Sequence, residues 1–355
     1  MTDDRPIGEE LAERFRADVE KISKSLADYC GPTHTKAVQG MDQALLRWLD
    51  FRLRFVDPKP RPLVYSAALP EQLPEDIKQA LSDFERHSMV GDDLNPFQGK
   101  GLTMFHDASG VKHQNRTDHL WAEWNIYHFH LVPLESSSER YYSERSGWLL
   151  FAVVFDNAIA CVDVTAHSNG AMENRSLIEN FIRNWPETAE PFRLKGVLPP
   201  LSQPSEEDIK KARVAGYSLP VIVDGAIYAL GGITGASTAE RVSLAGIHIA
   251  HGTRATAQLA IGEMERERGE LDKDELDHLS LVLTPRGLGI FDDRNRKCWP
   301  LPRPTGPWIN HAAARMHDLI LPEWIAEKIA EASISHTPLY EPQNAKHFDH
   351  VLRSP

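Results

Sequence analysis

"WNIYHFHLV", residues 124–132, sets two histidines two positions apart in a run that is otherwise aromatic and aliphatic. A β-strand repeats every two residues, so on a strand His128 and His130 emerge on one face. That reading decides the fold. It makes the middle of the chain a small sheet and puts a pair of imidazoles on its surface.

Outward from this stretch, three strands are expected, over 121–132, 148–155 and 158–167. The last two are joined by Asp156–Asn157, a tight-hairpin signal. Short connections make sequential strands antiparallel neighbours. "PLVYSAAL" from residue 62 supplies a further strand, and "PEDIKQALSDFERHSMV" a helix with Pro74 at its start. Residues 91–118 read as loop, rich in Gly, Asp, Asn and His. "NRSLIENFIRNW" closes the unit as a helix that stops at Pro186.

Alternation over 158–167 puts Ala160, Val162, Val164 and Ala166 on one face and Cys161, Asp163, Thr165 and His167 on the other. The second face is half polar and ends in a histidine, which a purely structural strand does not need. With antiparallel neighbours, His128, His130 and His167 are expected to converge on one sheet face, with Arg140 or Arg145 beside them.

The remainder of the chain carries helices and a second mixed region. Leu11, Phe15, Val19, Ile22 and Leu26 recur at helical spacing over 8–29, and a second helix is expected across 36–53. "DPKPRP" then forbids helix, since its prolines fix φ and lack a donor. The Pro-rich "LPPLSQPSEED", 198–208, reads as a linker into a helix N-terminus. Beyond it lie a hairpin in "LPVIVDGAIYALGGIT", an Ala-rich helical pattern to about 268 interrupted by Gly246 and Gly252, a hairpin in "HLSLVLTPRGLGIFDD", and a last helix around 322–332. These changes give three expected segments: a helical N-terminal element (1–58), an α+β domain with a small antiparallel sheet and packed helices (59–197), and a C-terminal α+β domain (198–355).

Composition narrows the function classes. The chain has 355 residues, 41% hydrophobic and 25% charged, as soluble globular proteins do. Three cysteines without CxxC spacing argue against a disulfide framework and a Cys-rich zinc site. The acidic "MTDDRPIGEE" start is unlike a secretion signal, and no apolar run reaches membrane length, so a cytoplasmic protein with no membrane partner is expected. A net charge of −12 gives no general attraction to nucleic acid or anionic lipid.

Within 62–187 the order strand, helix, three antiparallel strands and short helix resembles the RelE/YoeB-like messenger-RNA interferase toxins. "WNIYHFHL", "RSGWLLFAVVFDN" and "AIACVDVTAH" stand as its sheet. The resemblance covers about a third of the chain and rests on element order with a few polar positions. It implies a RelE-like fold and metal-independent cleavage of RNA, toxin- or defence-associated, with no cofactor. His128 and His130 would then line the cleft, Arg145 would hold the scissile phosphate and His167 would be the general acid. Lys112, His113, Arg116, Arg140 and Asp163 would contact substrate. The C-terminal region would bind a protein partner or self-associate.

Histidine titrates near neutrality and serves at either end of such a reaction, while arginine grips phosphate oxygens as a fork. Charge points the other way. Residues 61–190 hold 10 Lys/Arg against 19 Asp/Glu, where an RNA surface relies on local positive charge. Two other readings stay open. HxH on a strand plus a third histidine is a three-nitrogen set for zinc, with Asp163 as orienting group or fourth ligand. The domain would otherwise be a non-catalytic scaffold, its strand histidines satisfied core or interface residues.

Overall fold

The computed structural model describes residues 7–30, 33–34, 44–98, 102, 104–105, 118–132, 146–167, 174–199, 202–215, 217–229, 232, 239–269, 271 and 273–327. In chain order the helices are α1 (Ile7–Cys30), α2 (Ala44–Arg54), α3 (Glu75–Val90), α4 (His119–Trp124), α5 (Arg175–Asn184), α6 (Pro186–Ala189), α7 (Glu206–Val214), α8 (Glu240–Arg268), α9 (Lys273–Leu276) and α10 (Ala312–Ile320). The strands are β1 (Thr33–His34), β2 (Leu63–Tyr65), β3 (Met104–Phe105), β4 (Ile126–His130), β5 (Trp148–Val154), β6 (Ile159–Ala166), β7 (Val221–Val223), β8 (Ala226–Tyr228), β9 (Leu279–Thr284), β10 (Gly287–Asp292) and β11 (Lys297–Pro300). The protein is a mixed α and β chain with several small sheets.

The chain divides into two compact units. One comprises Thr33–Val38 and Leu53–Arg241. Its centre is a four-stranded sheet in the order β2-β6-β5-β4. β4, β5 and β6 are sequential antiparallel neighbours, and β2 adds to β6 in parallel. Both faces are covered, which is why β5, "WLLFAVV", is apolar throughout instead of alternating. On one face α5 packs Leu177, Ile178, Phe181 and Ile182 against Ile126, Leu149, Phe151, Val153, Ala160 and Val162. On the other, Phe84 of α3 meets Phe129 at 5.0 Å and Phe97 at 5.1 Å between ring centroids.

Two local departures from regular alternation shape this sheet. The expected strand over 121–132 begins with a helix. Residues 119–124 form α4, and Asn125, at φ 56°, turns the chain into β4. Asn tolerates this left-handed conformation better than other side chains. The second departure is a bulge in β6. Phe151 pairs with Asp163 and Ala152 with Cys161, so Val162 is an extra residue. Ala160 and Val162 therefore share the α5 face with Asp163, Thr165 and, by continued alternation, His167. Cys161, Val164 and Ala166 take the opposite face. The simple two-face division expected from the sequence does not hold beyond residue 162.

Two ties stabilise the periphery of this unit. Glu123 of α4 and Arg213 of α7 form a bidentate pair at 2.7–3.2 Å, with both side chains only 5% exposed, and Ser218 adds a bond to Glu123 Oε1. α7 itself starts in a capping box between Ser205 and Asp208.

The other unit comprises Met1–Pro32, Gln39–Arg52 and Val242–Pro355. It holds the antiparallel sheet β11-β10-β9, with α1 against β9. The alternating burial of β9 is that of a strand with one covered face. Asp18 of α1 accepts a hydrogen bond from Leu281 N at 3.0 Å, and Trp48 Nε1 donates to Ile320 O at 3.0 Å. α8 runs unbroken through Gly246 and Gly252. The C-terminal helix expected at 322–332 is described for 323–327, the rest lying outside the described residues. α10 and β11 occupy a stretch in which the sequence signalled neither. No helix of the described residues is long and apolar enough to cross a membrane.

Candidate functional site

Three imidazoles gather where β4, β5 and β6 end. His128 and His130, two residues apart on β4, lie with ring centroids 6.0 Å apart at an interplanar angle of 79°. His130 and His167 are also 6.0 Å apart, nearly parallel at 15°. The sheet register explains the row. His130 pairs with Leu149, Leu149 with Thr165, and His167 N donates to Gly147 O at 2.7 Å. The Val162 bulge brings His167 to this face, because regular alternation from Ala160 would have sent it to the other.

The row is graded in exposure. His130 is buried, at 6%, His128 keeps 24% of its side chain in solvent, and His167 is exposed. His130 Nδ1 accepts a hydrogen bond from Ser146 N at 3.3 Å. His128 Nδ1 meets Asp118 Oδ2 at 2.7 Å.

Asp118 is the functional candidate that the sequence reading missed. It caps α4, its Oδ1 accepting from Leu120 N at 3.0 Å and Trp121 N at 3.1 Å, while Oδ2 turns to His128. Burial pushes its carboxyl up. The His128 ring, the Trp121 N–H and the positive charge of Arg54 outweigh that and hold it below the ordinary carboxylate range. The available signal was an Asp directly before the apolar start "HLWAEW", an N-cap pattern hidden by reading 121–124 as strand.

Asp163 lies in the same cross-strand row as His128, through Phe151. Burial drives its carboxyl up from the usual value, only partly offset by the hydrogen bond that Oδ1 accepts from Val164 N at 2.8 Å. One face thus holds two carboxyl groups moved in opposite directions, an arrangement common where acid and base roles are divided.

Comparison with protein-family models, with curated proteins and with solved structures returns no match. The site is therefore read from its own chemistry. Of the residues expected from sequence, His128, His130, His167 and Asp163 share one face. Arg145, Arg140, Lys112, His113 and Arg116 lie outside the described residues. Among the described residues no group of three or more His, Cys, Asp or Glu is arranged to hold a metal ion.

Proposed function

We propose that the unit around β4, β5 and β6 is a metal-independent endoribonuclease that works by imidazole acid–base chemistry, of the RelE-like kind its element order resembles. The single observation that carries this reading is the row His128–His130–His167, anchored at one end by Asp118. RNA cleavage of this kind needs a base to take the proton of a 2′-hydroxyl. The 2′-oxygen then bonds to phosphorus, the bond from phosphorus to the 5′-oxygen breaks, and an acid protonates that leaving oxygen. The products are a 2′,3′-cyclic phosphate and a 5′-hydroxyl. Neutral and protonated imidazoles fill the two roles near pH 7.

The test is incubation of the full chain with single-stranded RNA in excess chelator. Cyclic-phosphate ends that disappear with His167→Ala and His128→Ala support the proposal. RNA left intact by a folded protein overturns it.

A second reading has one observation in its favour. The excess of 19 acidic over 10 basic residues across 61–190, together with the burial of His130, suits a non-catalytic interaction protein. Intact RNA in the same assay would favour it.

A further inference from the structure

The hydrogen bonds at the two β4 histidines are of opposite kinds. We infer that His128 and His130 are held in opposite tautomers, and that Asp118 is the positioning residue that makes His128 the base of the site. The catalytic part of this inference rests on the function proposed above; the tautomers do not.

The donor inventory fixes the assignment. A carboxylate only accepts, so at 2.7 Å from Asp118 Oδ2 the proton must sit on His128 Nδ1. The lone pair of a neutral His128 is then on Nε2, where a substrate proton can be taken. A backbone N–H only donates, so His130 Nδ1, 3.3 Å from Ser146 N, carries the lone pair and the proton is on Nε2. Two rings 6.0 Å apart thus hold unlike tautomers, with Nδ1 protonated at His128 and Nε2 protonated at His130. Protonating His130 would turn its Nδ1 from acceptor to donor against the Ser146 N–H, in a buried position. That disfavours His130 as the group that cycles protons.

Among the described residues, the groups facing the row come from several elements. α4 brings Asp118 through its cap, with Arg54 of α2 acting on that carboxyl. β6 brings Asp163, Thr165 and His167. α5 meets the sheet with Leu177, Ile178, Phe181 and Ile182. Asp118 is thus the anion that fixes the His128 tautomer, as the orienting carboxylate does in a Ser-His-Asp triad.

Asp118→Asn separates positioning from folding. Asn caps a helix as well as Asp does, so α4 should persist. Its amide NH2, placed where Oδ2 was, would donate to Nδ1 and flip His128 to the Nε2–H form. Nitrogen-15 NMR of full-length protein labelled at histidine reads both rings directly. The expected result is His128 as Nδ1–H and His130 as Nε2–H in the wild type, with only His128 inverted in Asp118→Asn. The same tautomer at both residues, or an unchanged His128 in folded Asp118→Asn, overturns the inference. RNA cleavage by Asp118→Asn should fall about 10²- to 10⁴-fold, the range that general acid–base catalysis contributes. It should fall through kcat and with an altered limb of the pH profile. Opposite tautomers with no cleavage by the wild type would leave the positioning geometry standing and remove the nuclease reading. Cleavage with full activity in Asp118→Asn would do the reverse.

Discussion

Gly252 of α8 lies so close to Met316 of α10 that a Cβ added to it would sit 2.3 Å from Met316 Cβ and 3.0 Å from Ala312 O. Glycine inside a helix ordinarily costs up to about 1 kcal/mol relative to alanine. Here it is what allows the two helices their separation, since both obstructing atoms are close to the partner backbone and have little room to yield. Gly252→Ala is expected to destabilise by about 1–3 kcal/mol. Gly262→Ala, on the same helix with nothing within 4 Å, is expected to stabilise by about 0.5–1 kcal/mol. Chemical denaturation of the two variants checks the opposite signs.

The Glu123–Arg213 pair is buried on both sides and bidentate. Removing one member strands the other charge away from water. Glu123→Ala is expected to cost about 3–5 kcal/mol. A double change to Leu at 123 and Met at 213 removes both charges, and its cost should be well below the sum of the single changes. Urea midpoints of the wild type, Glu123→Leu, Arg213→Met and the double variant close the cycle.

His317 gives the stability a pH dependence. Its Nε2 accepts from Leu288 N at 3.1 Å in a buried position. Burial, with the nearby Arg303 charge, depresses its pKa from 6.5 to about 4, a backbone carbonyl at Pro302 pulling weakly the other way. Below pH 6.5 the unfolded chain binds a proton that the folded chain refuses. This contribution is therefore fully present above about pH 6.5 and is lost as the pH falls through about 4. Its size is about 3 kcal/mol. His317→Gln keeps an acceptor for Leu288 N and should remove that part of the acid slope in melts run from pH 7 to pH 4.

Asn95 pairs with the backbone of Val56 as a strand would. Oδ1 accepts from Val56 N at 2.8 Å and Nδ2 donates to Val56 O at 2.9 Å. Nδ2 also donates to Asp93 Oδ1 at 2.6 Å. Asn95→Asp removes the donor from both oxygens and sets a buried carboxylate against another. A loss of about 2 kcal/mol or more at neutral pH is expected, shrinking on acidification as the new carboxyl protonates. Asn95→Asp melting at pH 7 and pH 4.5 tests this.

How far the sequence revealed the molecule depends on the range of the force involved. Period-two placement of His128 and His130, the Asp156–Asn157 hairpin and the antiparallel order of β4, β5 and β6 follow from local signals, and the structure has them. α4 was hidden because Trp121 and Trp124 extend an apolar, strand-favouring run, and only the left-handed turn at Asn125 separates helix from strand. The unbroken course of α8 through Gly252 was hidden because the reason for that glycine, Met316, lies more than sixty positions away. Asp118 was unreadable as a partner of His128 for a similar reason: their contact exists only once the chain reverses at Asn125. The bulge at Val162 is a property of pairing between two strands and leaves no mark in either alone.

That one unpaired position in β6 acts as a phase shift. Upstream of it, odd and even positions point one way; downstream they have exchanged sides. Whether the imidazole of residue 167 stands beside its two companions is thus decided by counting, through how many residues separate it from Asp163, more than by what those residues are. Excising Val162 would restore regular alternation and leave that imidazole where it is, whereas excising Val164 would keep every proposed group in the chain and still take the site apart, so length changes beyond the bulge are more damaging to it than most exchanges of side chain.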